Sequence, residues 1–133
     1  MAGTGVQGFA GDGGAANTAD YEAWIDGIEA AAEVLTELDV LIHNAGNVRY
    51  GMIADLSIDD FNAVTDVHFK GGFYLAKAAM PHMIAAKYGR VVLTASCSGL
   101  YGSQTTVNYG MSKAGLMGLN NVIALEGGAH GIH

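Results

Sequence analysis

A single cysteine, Cys97, in a chain of 133 residues leaves no partner for an intramolecular disulfide, and a reducing cytosol is the simplest setting. Basic residues are scarce as well. Six Lys and Arg stand against 13 Asp and Glu, a formal charge of -7. Lys70, Lys77, Lys87, Arg90 and Lys113 are scattered, so no basic stripe can neutralise a phosphate backbone and no nucleic-acid partner is expected. Charge of either sign makes up only 14% of the chain, beside roughly 25% in ordinary globular domains. With 50% hydrophobic residues, the balance suits a segment covered by neighbours on several sides and is too apolar for a disordered chain. The first basic residue is Arg49, so the positive start of a signal peptide is missing. The longest charge-free run, Val91 to Ser112, has the length of a membrane span. Ser, Thr, Gln and Asn recur through it, however, and lipid would leave those groups unsatisfied, so no membrane partner is expected.

What is present is an alternation of helical and strand patterns without internal repeats, at a length suited to one domain. The first seventeen residues are rich in Gly and Ala and carry no period. From Thr18 to about Glu37, Trp24, Ile25, Ile28, Ala32 and Leu35 recur at helical spacing. Leu38 to Ile42 is a short apolar run of the kind that forms strands covered on both faces, and it breaks at His43-Asn44-Ala45-Gly46. Ser57 is placed to cap a helix, with Asp60 at the capping-box position. A long helical stretch follows through Phe61, Val64, Phe69, Phe73, Leu75 and Met80, to be bent or divided by Gly71-Gly72 and Pro81. Arg90 to Thr94 predicts a second buried strand, and a last helix runs from about Val107 to Leu125, ended by Gly127 and Gly128. Helices alternating with buried strands predict an α/β fold with a parallel sheet. The chain stops where another strand is expected to begin, and two strands alone make a poor sheet, which leads to the expectation of a partial domain.

Three sequence features carry chemistry. In Tyr109-Gly110-Met111-Ser112-Lys113, positions four apart share a helix face, so a phenol and an ammonium can cooperate. A free phenol titrates near 10, about 4 kcal/mol from what an acid–base catalyst needs near neutrality. A cation about 4 Å away supplies about that much at an effective dielectric of 20. Ser96 closes the second strand, where a hydroxyl can bond a substrate oxygen as charge develops on it, or can simply serve a turn. Asn44-Ala45-Gly46 closes the first strand, and ligands of open α/β sheets bind beyond the carboxyl ends of strands. Each is a short pattern alone.

Their order and spacing together resemble the short-chain dehydrogenase/reductase family, from about Leu38 to His133 and weakly over the preceding helix. The resemblance implies a Rossmann-like doubly wound parallel sheet, incomplete at both ends, with residues 1–133 forming a single partial domain. It implies NAD or NADP as cofactor and a small carbonyl or alcohol substrate. By the same resemblance, Tyr109 is the general acid/base and Lys113 tunes Tyr109 and bonds the nicotinamide ribose. Ser96 orients the substrate oxygen, and Asn44, Ala45 and Gly46 lie beside the adenosine half of the cofactor. The two long helices resemble surfaces that build homodimers and homotetramers in full-length members.

Two positions depart from the family pattern. His43 replaces the first of two usual asparagines, and His68 stands where an asparagine usually holds a helix kink and a water leading to the lysine. His68 can still serve a proton relay, because imidazole donates and accepts near neutral pH, or it can be a structural helix histidine. A histidine there, with Ala86-Lys87-Tyr88-Gly89-Arg90, Ser98-Gly99-Leu100-Tyr101-Gly102 and Ala124-Leu125-Glu126-Gly127, resembles the hydroxyacyl-CoA dehydrogenase branch. A 3-hydroxyacyl-CoA/3-oxoacyl-CoA substrate follows from that resemblance.

Other signals weigh little. Gly3-Thr4-Gly5-Val6-Gln7-Gly8 fits G-x-G-x-x-G, but only Met1-Ala2 precede it where a buried strand is required. The first strand and its phosphate loop are therefore expected to be missing. His130 and His133 lack the companions of a metal site, so none is expected. Cys97 reads as a small buried residue, and Ser96 lacks the flanking glycines of a hydrolase nucleophile. Beside the oxidoreductase stands one alternative of another class: a non-catalytic Rossmann-like fragment serving binding or oligomer assembly.

Overall fold

The computed structural model describes Asp26 and residues 38–133. The glycine-rich start and the helix expected over residues 18–37 lie outside the described residues, apart from Asp26 itself. Two strands, β1 (Val40–His43) and β2 (Arg90–Leu93), pair in parallel, with Val40 opposite Arg90 and His43 opposite Leu93. The connection between them holds helix α1 (Ile58–Thr65), a π-helical turn (Asp66–Lys70) and helix α2 (Gly71–Ala86). After β2 come the one-turn helix α3 (Ser98–Tyr101), the long helix α4 (Val107–Gly127) and a 3-10 turn (Gly128–His130). Ile132 bridges Gly89 in parallel, and the Val91 N–H donates to the His133 carbonyl at 2.8 Å. Chain thus lies on both sides of β2, as an α/β sheet requires.

The core forms where Leu41 and Val91 meet Ala76, Ala79 and Met83 of α2, Ile123 of α4, and Ile132. Small residues on α2 bring that helix close to the sheet. At Gly72 an added Cβ would lie 2.6 Å from Leu116 Cδ2 and 3.1 Å from His43 Cδ2. Among the described residues, helices cover one face of the two strands. Val40, Ile42 and Val92 are exposed, because α2 and α4 pack on the face carrying Leu41 and Val91, and no described helix packs on the other.

The start of α1 follows the sequence closely. The Ser57 oxygen accepts the Asp60 N–H at 3.0 Å, and its hydroxyl donates to the Asp60 carboxylate at 2.8 Å. The long helical stretch divides at the π turn, just before Gly71, while Pro81 sits inside α2 without ending it. A π turn widens the helix by one residue per ladder step, a feature frequent at functional sites. Helix α4 continues to Gly127, two residues beyond the expected end. Among the described residues no helix is long and apolar enough to cross a membrane.

Candidate active site

The carboxyl ends of both strands open at one edge of the sheet, and the first three turns of α4 run beside them. Lys113, 3% exposed, donates through Nζ to the Thr94 carbonyl at 2.5 Å, directly beyond β2. Burial lowers its pKa from the usual lysine range. Tyr109 lies one turn earlier on the same face, half-buried, with Lys113 Nζ 5.5 Å from its ring centroid. The His68 ring stands edge-on to the same phenol, centroids 5.1 Å apart at 89°. The structure therefore brings Tyr109, Lys113 and His68 together.

The His68 imidazole is buried and tied to the loop after β1. Its Nε2 lies 2.7 Å from the Asn47 carbonyl and 3.1 Å from the Asn47 N–H, so it donates to the first in one tautomer and accepts from the second in the other. Its Nδ1 is buried without a partner. Burial pushes the His68 pKa down; the Asn47 hydrogen bond opposes this, and Lys113 and His43 add to it. Gly46 is required here, because a Cβ would lie 2.3 Å from His68 Cε1. Asn44 is exposed and Ala45 half-buried beside it, at the mouth of the edge.

Ser96 is half-buried in the turn between β2 and α3, where its oxygen accepts the Ser98 N–H at 3.2 Å. That turn presses on α4. A Cβ at Gly110 would lie 3.1 Å from the Ser98 carbonyl, and one at Gly99 would lie 2.7 Å from the Ala114 nitrogen. The Ser96 turn is thereby held against the helix segment that bears Tyr109 and Lys113. Cys97, expected as a small buried residue, is exposed instead, since it starts α3 at the surface of this turn. His130 and His133 are exposed, and the described residues contain no group of three or more His, Cys, Asp or Glu suited to a metal ion.

Two residues support the site in roles that the sequence did not assign: Asn108, which it passed over, and His43, which it marked only as a departure from the family pattern. Asn108 is fully buried, donates to the Arg49 and Asp60 carbonyls at 3.0 and 3.3 Å, and accepts the Tyr109 N–H at 2.8 Å. It fastens the loop after β1 to the start of α4. An amide directly before the tyrosine was its only signal. His43 is the second: its Nε2 lies 2.9 Å from the His68 carbonyl, and burial lowers its pKa against that bond, with Lys113 adding to the lowering.

The model of the short chain dehydrogenase family matches residues 9–133. The peroxisomal multifunctional enzyme type 2 of Drosophila melanogaster is 43% identical over 117 residues, 86% of this chain and 20% of that protein. A 3-oxoacyl-(acyl-carrier-protein) reductase of Thermotoga maritima is 32% identical over 110 residues, 83% of this chain and 45% of that one. The crystal structure of an NAD+-bound xylitol dehydrogenase matches with a TM-score of 0.81 at 32% identity, covering 85% of this chain and 44% of that chain. The chain thus spans less than half the length of these relatives, and its fold is the Rossmann-like parallel sheet of such dehydrogenases. With the family pattern matched across residues 9–133, the chain belongs to the short-chain dehydrogenase/reductase family.

Proposed function

We propose that the protein interconverts a secondary alcohol and a ketone with NAD or NADP, and that a 3-hydroxyacyl/3-oxoacyl thioester of coenzyme A is the substrate. The observation that carries this reading is the common face of α4 on which Tyr109 and the buried Lys113 meet, beside the ends of both strands. The described residues fit a dinucleotide. Asn44 is exposed and Ala45 half-buried at the end of β1, and Lys113 spends one of its three N–H donors on Thr94, leaving two for a ribose and the phenol. Hydride transfer is the chemistry the bound nicotinamide supplies.

The chain's own groups handle the proton and the charge. The Tyr109 hydroxyl gives its proton to the substrate oxygen in reduction and takes it back in oxidation. The Lys113 ammonium, fixed by Thr94, stabilises the phenolate left behind. The Ser96 hydroxyl, whose oxygen already accepts from Ser98, points its proton to the same substrate oxygen. Neutral His68 packs on the Tyr109 ring and can relay a proton through its imidazole. Apolar side chains on the outer faces of the long helices, Phe73 at 47% and Leu125 at 84% exposure, support a homodimer or homotetramer. A cytoplasmic setting is proposed from the lone cysteine, although the insect relative is peroxisomal by name.

Titration with NADH and NADPH, followed by fluorescence, tests cofactor capture, and reduction of a 3-oxoacyl-CoA tests turnover. Tyr109→Phe is expected to lower kcat by about 10²–10⁴-fold while the cofactor Kd stays within about twofold. Wild-type turnover in that variant overturns the assignment. Failure of both dinucleotides to bind favours the non-catalytic alternative.

A further inference from the structure

We infer that His43 is a positioning residue that fixes Tyr109 and Lys113 relative to each other, working from the end of β1 through both its side chain and its backbone. The inference rests on the dehydrogenase reading above and assigns a role that the family pattern does not give to this position.

The side-chain branch leads to the phenol. His43 is 1% exposed, and its Nε2 reaches the carbonyl of His68 on the π turn at 2.9 Å. A carbonyl only accepts, so the imidazole carries its proton on Nε2. Burial disfavours the doubly protonated ring, which leaves the neutral Nε2–H form. The residue so gripped is the one whose own ring stands against Tyr109 at 5.1 Å. The backbone branch leads to the ammonium. The His43 carbonyl accepts the Thr94 N–H at 3.0 Å, and the carbonyl of that same Thr94 holds Lys113 Nζ at 2.5 Å. One residue therefore anchors both partners of the acid–base pair, each through a single intermediary.

Its ring is packed as well as bonded. It faces Gly72 and lies beside Leu116, and any Cβ at Gly72 would come within 3.1 Å of His43 Cδ2. The choice of histidine is also chemical. An asparagine amide reaches only to the place of Nδ1, and in His43 that atom is buried without a partner. The bond to the π turn needs a donor at the place of Nε2, one atom further out. The two positions at which this chain departs from the usual asparagines, His43 and His68, are thus joined by one hydrogen bond and act as a unit.

His43→Phe keeps a ring and removes the donor, whereas His43→Gln places an amide N–H where Nε2 was. A misplacement of about 1 Å among reacting groups can cost about 10²-fold in rate. His43→Phe is therefore expected to lower kcat for 3-oxoacyl-CoA reduction by about 10–100-fold, with KM and the NADH Kd within about threefold of wild type. His43→Gln is expected to recover kcat to within about threefold of wild type. Unchanged kcat in folded His43→Phe, or a folded His43→Gln as slow as His43→Phe, overturns the inference. Absence of turnover in the wild type defeats the dehydrogenase reading instead, and the decision then passes to nuclear magnetic resonance. There the wild-type His43 Nε2–H is expected to exchange slowly with water, and His43→Gln is expected to leave the His68 and Tyr109 ring signals in place. A rapidly exchanging His43 N–H overturns the inference without reference to activity or to any variant's folding.

Discussion

Both strands end at the same edge of the sheet, yet the chain leaves them by two differently built joints. After β2, backbone packs on backbone: the α3 turn sits on α4 through Gly99 and Gly110, with the Ala114 nitrogen only 2.7 Å from where a Gly99 Cβ would be. After β1, side chains reach across long stretches of chain to backbone groups. His43 bonds the carbonyl of a residue 25 positions on, and His68 bonds back to Asn47 across 21. The first joint places Lys113 and the Ser96 turn, and the second places His68 and the loop after β1. A joint made of glycines has little room to adjust, whereas a joint made of imidazoles can turn a ring to relieve a clash.

Paired alanine substitutions at the two joints give the largest effect that can break this contrast. Gly99→Ala drives a Cβ into the backbone of Lys113 and Ala114, and overpacking of that kind costs about 1–3 kcal/mol. Gly46→Ala drives a Cβ into His68 Cε1 at 2.3 Å, a closer approach but to a side chain. Urea unfolding is expected to show Gly99→Ala as the less stable of the two. The reverse order would mean that the Asn47 and Tyr109 contacts hold the His68 ring more stiffly than one helix holds another.

The same contrast explains what the sequence disclosed. Tyr109 and Lys113 share a helix face by spacing alone, and Ser57, Asp60 and Gly127 mark helix ends through contacts within a few residues. Such local signals carry over into the structure almost unchanged. Asn108 and His43 act on carbonyls 25 to 59 positions away, and no spacing rule indicates which carbonyl a buried side chain will meet. The π turn stands between the two: no spacing in Asp66-Val67-His68-Phe69-Lys70 announces a widened helix, and only the resemblance, which puts a helix kink at His68, pointed to this segment. The sheet face left open among the described residues was hidden for a related reason. An apolar run shows that residues prefer burial, but the elements that supply it are set by topology.

Acidity discriminates between the joints next. His43 and His68 both belong to the joint after β1, and burial lowers the pKa of each. The unfolded chain therefore takes up protons first as pH falls below the usual imidazole value of about 6.5. Stability that is fully present above that value is lost as pH falls through the window down to the folded-state values. The melting temperature of the wild type is expected to fall more steeply between about pH 7 and about pH 5 than that of His68→Asn, which keeps only one of the two imidazoles. Lys113, whose pKa burial also lowers, is common to both proteins and leaves the difference in slope to the histidine. Equal slopes would place the acid sensitivity outside this joint.

The smallest expected effect is at Cys97, beside Ser96 in the joint after β2. Its carbonyl accepts the N–H groups of Leu100 and Tyr101 at 3.0 and 2.9 Å and so starts α3, while its side chain is exposed. If that joint is truly a backbone structure, the thiol contributes nothing to it. Cys97→Ser is then expected to change stability by no more than about 0.5 kcal/mol, as surface substitutions away from special contacts do. The native thiol should also react with an aromatic disulfide reagent as fast as a free cysteine. A loss well beyond that limit, or a protected thiol, would show a side chain at work where only backbone was supposed to act, and the distinction between the two joints would fail at the residue next to Ser96.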